Sequence, residues 1–222
     1  MKNKIKTFFR FFLKYTFPTL YRIELTHTYL EKIKSNHFNS KISTKANIAG
    51  PSQIIDSDVG DYTYISMNSF ILSTKIGKFC SIGPNLFCGW GIHPTDGLST
   101  SPAFYSLSRQ AGITFSNENK IKERLPIEIG NDVLIGMNVT ILDGIIIGDG
   151  AVIGAGAVVS KNIPPYAIAI GAPIQILRYR FKPQIIEKLL NIKWWDFEEE
   201  ELYKVEKYFF NTEEFIEKYS RN

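Results

Sequence analysis

The sequence predicts a mainly β chain: a parallel β-helix over residues 42–173, with helical segments at 1–41 and 174–222 on either side. Three observations lead there. Isoleucine is in excess, 31 of 222 residues. Aliphatic residues recur at every sixth position over two long stretches. That period lapses once, from about residue 89 to 127, and then resumes.

The first segment is basic, with nine Lys and Arg up to Lys41 against Glu24 and Glu31. Over residues 2–17, Ile5, Phe8, Phe9, Phe12 and Leu13 share one face of a helical wheel. Lys6, Arg10 and Lys14 follow at four-residue steps on the other. Two readings compete. The helix lies on an anionic membrane surface, or its apolar face packs on the rest of the protein or on a neighbouring subunit. Arg10 and Lys14 interrupt the apolar stretch and no small-residue cleavage site follows, so a secretory signal is not expected. No apolar run reaches the roughly 18 residues of a membrane-spanning helix.

The repeat then begins. Ile42, Ile48 and Ile54 form one set, Val59, Ile65 and Ile71 a second, and Ile76, Ile82 and Cys88 a third, each offset from the last by a step of five. Ile129, Ile135, Ile141, Ile147, Ile153 and Val159 continue it, with glycine after four of them, at 130, 136, 148 and 154. A step of six fits neither 3.6 residues per helical turn nor the two-residue alternation of a long strand. It fits a short strand plus a corner. Three such units make a coil of about 18 residues, stacked on the next at about 4.8 Å. The period leaves the hand open; the usual rule for parallel crossovers would make it right-handed.

The lapse at 89–127 is long for a loop in a compact solenoid, and such loops are more often functional than accidental. After Pro173 the pattern becomes helical. Ile185, Ile186, Leu189 and Leu190 follow Pro183, and Glu198 to Glu201 open a second helix carrying Leu202, Val205, Phe209 and Phe210. Acidic residues suit a helix N-terminus. Trp194 and Trp195 are expected to anchor this segment. Both ends of a solenoid expose unpaired strand edges, and the terminal segments are the available covers.

Composition narrows the function. A net charge of +4 is too mild to argue for nucleic acid. Two cysteines, Cys80 and Cys88, supply neither a disulfide framework nor a zinc set, which points to a reducing, cytoplasmic setting.

The glycine-marked repeats resemble the hexapeptide-repeat acyltransferases. Three segments are similar to the xenobiotic and polysaccharide O-acetyltransferase branch of that family: SIGPNLFCGWGIHPTDGLSTSPAFY (81–105), VIGAGAVVSKNIPPYAIAIGAPIQILRYRF (152–181) and LLNIKWWDF (189–197). The resemblance covers about residues 42–200. It implies a left-handed β-helix, a homotrimer with each active site between two subunits, and transfer of acetyl from acetyl-CoA to a hydroxyl.

His93 stands where the family has its general base. The chemistry calls for one, because a sugar hydroxyl must lose its proton as it attacks the thioester, and an imidazole of ordinary pKa about 6.5 is mostly neutral in the cell. Asp96, three residues on, either orients the imidazole or closes an Asx-turn after Pro94. Cys88 lies in the inward aliphatic series, so it is expected to act as a small hydrophobe, which favours one-step transfer over an acyl-enzyme. The resemblance also implies coenzyme A contacts at Met137, Ala155, Ser160, Lys161, Gln175 and Arg178. Met137 and Ala155 stand one coil apart. Lys161 and Arg178, with Arg180, offer charge to the phosphates. Two departures touch this groove: Gln175 stands where a basic residue is usual, and Leu134 where tryptophan is. Trp90, Phe104 and Tyr105 either stack on a sugar ring of the acceptor or pack the loop.

The leading expectation is an O-acetyltransferase acting on a sugar or a surface-polysaccharide precursor. An antibiotic O-acetyltransferase and a non-catalytic solenoid scaffold are the alternatives. A zinc-dependent hydro-lyase on the same solenoid would need three histidines, and only His93 lies in this region, so no metal is expected.

Overall fold

The computed structural model describes residues 11–19, 21 and 35–220. The chain divides into two units, Met1–Ser35 and Asn36–Asn222. In the first, residues 11–16 are helical and Phe11, Phe12 and Tyr15 are exposed. Residues 2–10 of the expected amphipathic helix, and His27, lie outside the described residues.

The second unit is a solenoid of stacked coils with three faces. The first face stacks Asn36–Phe38, Ser52–Ile55, Ser69–Leu72, Phe87–Cys88, Thr140–Ile141 and Val158–Val159. The second stacks Lys41–Ile42, Asp58–Val59, Thr74–Ile76, Ile127–Ile129 and Ile146–Ile147. The third stacks Asn47–Ile48, Tyr64–Ile65, Ser81–Ile82, Leu134–Ile135, Val152–Ile153 and Ala167–Ile170. All pairings between coils are parallel; the antiparallel strand Gln175–Tyr179 closes the third face.

The six-residue series points inward. Ile54, Ile71, Cys88, Ile141 and Val159 form one column in register, and Ile48, Ile65, Ile82, Ile135 and Ile153 another. From Ile54 on, these residues are buried. The steps of five mark shorter coils: seventeen residues separate Ile54 from Ile71, and eighteen separate Ile135 from Ile153. One strand precedes the legible period. In Asn36–Phe38 the column position above Ile54 is taken by His37, so no aliphatic residue announces it.

A second inward position lies two residues before the first. In the later coils it is apolar: Val133, Val139, Ile145, Ala151 and Ala157. In the early coils it is Ser57, Thr63, Ser69 and Thr74, all buried. Each hydroxyl donates to a backbone carbonyl: Ile55 (2.7 Å), Gly77 (2.7 Å), Ser66 (2.8 Å) and Leu72 (2.8 Å) respectively. A buried hydroxyl costs little once it has such an acceptor.

The corners turn through left-handed backbone. Asn85 and Asn138 adopt φ of 61° and 57°, which asparagine tolerates, and their side chains bond at 2.8 Å. Gly136 is required by proximity, since a Cβ there would stand 2.5 Å from the backbone nitrogen of Ala155.

Beyond the solenoid come helices Pro183–Ile192, Glu199–Lys207 and Thr212–Tyr219. The first two are the expected ones, and Glu199, Glu200 and Glu201 occupy the first turn of the second. Phe209 and Phe210, however, lie past its end and are exposed, 72% and 96%. The third helix instead supplies Phe215 and Ile216 to a cluster with Tyr166, Leu189 and Tyr208. Helix two is short because its charged residues leave little apolar surface to bury, so helix three completes the cover. Trp195 is buried, and Trp194 packs at 5.0 Å on Phe79 of a solenoid corner.

Gly136→Ala is expected to destabilise the protein by about 1–3 kcal/mol, the usual cost of overpacking. Thermal unfolding followed by circular dichroism measures it; an unchanged midpoint contradicts the close approach of the two coils.

Candidate active site

The long insertion leaves the solenoid at the corner between the first and second faces, after Cys88, and rejoins it at Ile127. The ladder closes beneath it: Ile76 pairs with Ile129 as though the intervening residues were absent. Gly89 starts the exit at φ 71°, where a Cβ would stand 2.6 Å from the Leu72 carbonyl. One carboxylate then clamps both limbs. Asp143 accepts from the Gly91 N–H through Oδ2 (2.9 Å) and from the Leu125 N–H through Oδ1 (3.2 Å). The limbs also bond to each other, Ile92 N–H to the Glu123 carbonyl at 2.7 Å.

His93 follows directly on this clamp and is exposed. Its Nδ1 lies 3.0 Å from the Thr100 carbonyl and 2.8 Å from the Tyr105 hydroxyl. Asp96 is exposed and no hydrogen bond joins it to His93 among the described residues, so the oxygen partners of the imidazole are Thr100 and Tyr105 instead. The loop beyond is knitted internally. Phe115 N–H donates to the Ala103 carbonyl (2.7 Å), Lys120 N–H to the Tyr105 carbonyl (2.9 Å), and the Thr114 hydroxyl to the Ser106 carbonyl (2.7 Å).

The aromatic candidates separate. Trp90 is 55% exposed, meets Phe70 edge-on at 6.1 Å and lines an open groove with Phe87, Thr140 and Leu142 at the foot of the loop. Phe104 is exposed and stacks on Phe115 at 5.4 Å. Tyr105 is buried, so its ring is closed to a stacking sugar. Cys88 is fully buried against the Thr74 hydroxyl (3.3 Å), and burial pushes its thiol up to about 12. Such a thiol stays protonated at cellular pH and is a poor nucleophile.

Met137 and Ala155 meet at the corner between the third and first faces, where Gly156 N–H donates to the Met137 carbonyl at 2.9 Å. Both are exposed. Ser160 and Lys161 are exposed at the corner that also bears the insertion. Gln175 and Arg178 are exposed on the closing strand, where among the described residues the Arg178 guanidinium bonds only the neighbouring Tyr179 carbonyl. Arg180 differs. Its Nη1 donates to Asp132 (2.9 Å) and to the Gly150 carbonyl (2.8 Å), and its guanidinium covers Tyr166 and Phe181. It fastens the closing strand to a corner rather than standing free. Within one chain, therefore, His93 and the Met137–Ala155 pair stand at opposite ends of the first face.

The family model described as bacterial transferase hexapeptide (six repeats) matches residues 126–161. A probable macrolide acetyltransferase of Lysinibacillus sphaericus is 37% identical over 134 residues, 58% of this chain and 72% of that protein. This chain belongs to the hexapeptide-repeat acetyltransferases. A chloramphenicol acetyltransferase of Agrobacterium fabrum is 41% identical over 133 residues, spanning 57% of this chain and 61% of the relative. A hexapeptide-repeat acetyltransferase of Vibrio cholerae, solved with acetyl coenzyme A, superposes with a TM-score of 0.50 at 28% identity, over 65% of this chain and 73% of that one.

Sequence reasoning passed over Asp143, which holds the hexapeptide-repeat scaffold to its loop, and Thr100, which meets His93 within it. Asp143 was legible only as a departure: Leu142-Asp143-Gly144 occupies a corner without the glycine that follows Ile129, Ile135, Ile147 and Ile153. Thr100 acts through its carbonyl, which no side-chain pattern reports. Asp143→Ala is expected to free both limbs and lower turnover up to about a hundredfold, the scale of a misplaced catalytic group. Steady-state kinetics beside a melting curve checks this, and full activity would show that the loop is held without the clamp.

Proposed function

We propose that this protein is an acetyl-CoA-dependent O-acetyltransferase acting on a hydroxyl of a sugar or a surface-polysaccharide precursor, in one step, with His93 as general base. The observation that carries the reading is the environment of Nδ1. A carbonyl oxygen only accepts, so the Thr100 carbonyl calls for a proton on Nδ1, and the lone pair is then on Nε2. The acceptor oxygen gives its proton to Nε2 as it bonds the acetyl carbon. The carbon–sulfur bond breaks, and the proton passes from Nε2 to the departing thiolate.

The residues present suit acetyl-CoA. Gly136, Gly154 and Ala155 keep one corner low beside Met137, as an extended pantetheine arm requires, and Lys161 and Arg178 offer exposed charge to phosphate. A homotrimer is supported by the outward columns of the three faces. The second carries Lys41, Asp58, Lys75 and Glu128 before Ile146, a charged run suited to water. After Asn36 and Gln53 the first carries Phe70, Phe87, Thr140 and Val158, and after Asn47 the third carries Tyr64, Ser81, Leu134, Val152 and Ile168, so both are apolar mainly over the later coils. Two apolar faces meeting at one corner suit a threefold arrangement, the first face of one copy against the third face of the next. A site shared between two subunits, as the resemblance implies, would draw His93 from one copy and the Met137–Ala155 corner from another.

An antibiotic acceptor is the second reading, favoured by the macrolide and chloramphenicol relatives. Thiol release from acetyl-CoA across nucleotide sugars, oligosaccharides, chloramphenicol and a macrolide separates the two. His93→Ala is expected to lose about two to three orders of magnitude in turnover, with acetyl-CoA affinity unchanged; wild-type turnover would remove His93 from the mechanism. Light scattering is expected to give about 76 kDa, three times 25.3 kDa. An active monomer would refute the shared groove.

A further inference from the structure

The environment of His93 includes a partner that a general base does not by itself require. The Tyr105 ring is 4% exposed and meets the imidazole edge-on, with 6.2 Å between centroids and 88° between planes. Its backbone is pinned from two sides: its N–H donates to the Pro102 carbonyl at 3.3 Å, and its carbonyl accepts from the Lys120 N–H. The phenol therefore has little freedom to follow the imidazole; the imidazole conforms to the phenol.

Two oxygens approach one ring nitrogen, Thr100 O at 3.0 Å and Tyr105 Oη at 2.8 Å. With the proton on Nδ1, that N–H is shared between both oxygens and the carbonyl has its donor. With the proton on Nε2, the Thr100 carbonyl would face a bare nitrogen lone pair. The phenol hydroxyl, able to accept or donate, sides with the arrangement that leaves no repulsion. Once Nε2 has taken a proton, the same two oxygens still accept from Nδ1, so the imidazolium need not rotate.

We infer that Tyr105 is a positioning residue: its hydroxyl, together with the Thr100 carbonyl, locks His93 in the ring plane and the tautomer that leave Nε2 free to take the acceptor's proton. This rests on the reading of His93 as the base. Burial and the nearby Glu123 carboxylate push the phenol up from its ordinary range, so it remains a neutral hydroxyl across the working pH. Asp96 has no part in the lock. An oxygen of zero charge gives the ring direction without placing a carboxylate beside it.

The test is nitrogen NMR of the histidine ring in full-length, 15N-labelled protein, with His93→Ala used to assign the signals. Tyr105→Phe keeps the buried ring and removes only the oxygen. In the wild type His93 is expected as the Nδ1–H tautomer; in Tyr105→Phe the two tautomers mix while the melting temperature holds. With the best acceptor of the panel, kcat of Tyr105→Phe is expected to fall about five- to tenfold at unchanged KM for acetyl-CoA, the scale of one hydrogen bond. An Nε2–H tautomer in the wild type overturns the inference, and so does a Tyr105→Phe protein with unaltered tautomer. Full turnover in His93→Ala would sink the base reading instead, and leave the ring spectra to decide the contact with Tyr105.

Discussion

Every feature of this protein depends on the register in which one coil lies on the next. The backbone ladders run between coils, so each coil must place its inward residue directly over that of its neighbour, and columns such as Ile71, Cys88, Ile141 and Val159 are the outcome. A slip of one residue would turn each aliphatic side chain outward and bring its neighbour into the core. Small departures are absorbed at corners, not in strands. That is why coils of seventeen and eighteen residues stack without breaking a column.

Because register is carried by the strands, a corner can hold a long excursion at small cost. The insertion between Cys88 and Ile127 uses this freedom. Its ends are set by the ladder below, and Asp143 of the following coil bonds both limbs. His93 stands just beyond that clamp, so a segment outside the ladder delivers a side chain to a defined place. The rigidity belongs to the solenoid, and the loop inherits it over the few residues nearest its base. Farther out, Tyr105 and its backbone bonds take over the same task.

The three corners divide the work. One bears the insertion together with Ser160 and Lys161. A second bears the low, glycine-lined surface beside Met137 and Ala155. The third carries the C-terminal helices, whose aromatic cluster is fastened by Arg180 to Asp132 and the Gly150 carbonyl. Arg180 shows how a cation in a motif rich in basic residues can be committed to structure: its guanidinium also covers Tyr166 and Phe181.

The six-residue period was enough, read by itself, to establish a stacked-coil β architecture, the position of its interruption and the inward set down to Cys88, because an inward position repeated at every coil leaves a mark in sequence order. His93 became a candidate through the residues around it, and the first C-terminal helix was legible from its own apolar spacing. Other features left no such mark. The strand at Asn36–Phe38 was hidden by His37, the hydroxyl-lined second position by its polarity, and the third helix by its shortness. The partners of His93 were decided only in three dimensions: Asp96, near in sequence, turns to solvent, while a carbonyl at Thr100 and a phenol twelve residues away close on Nδ1. Sequence spacing governs what repeats along a regular backbone. Contacts inside an irregular loop depend on how the chain folds back on itself, and backbone oxygens, common to every residue, carry no signature that a sequence can display.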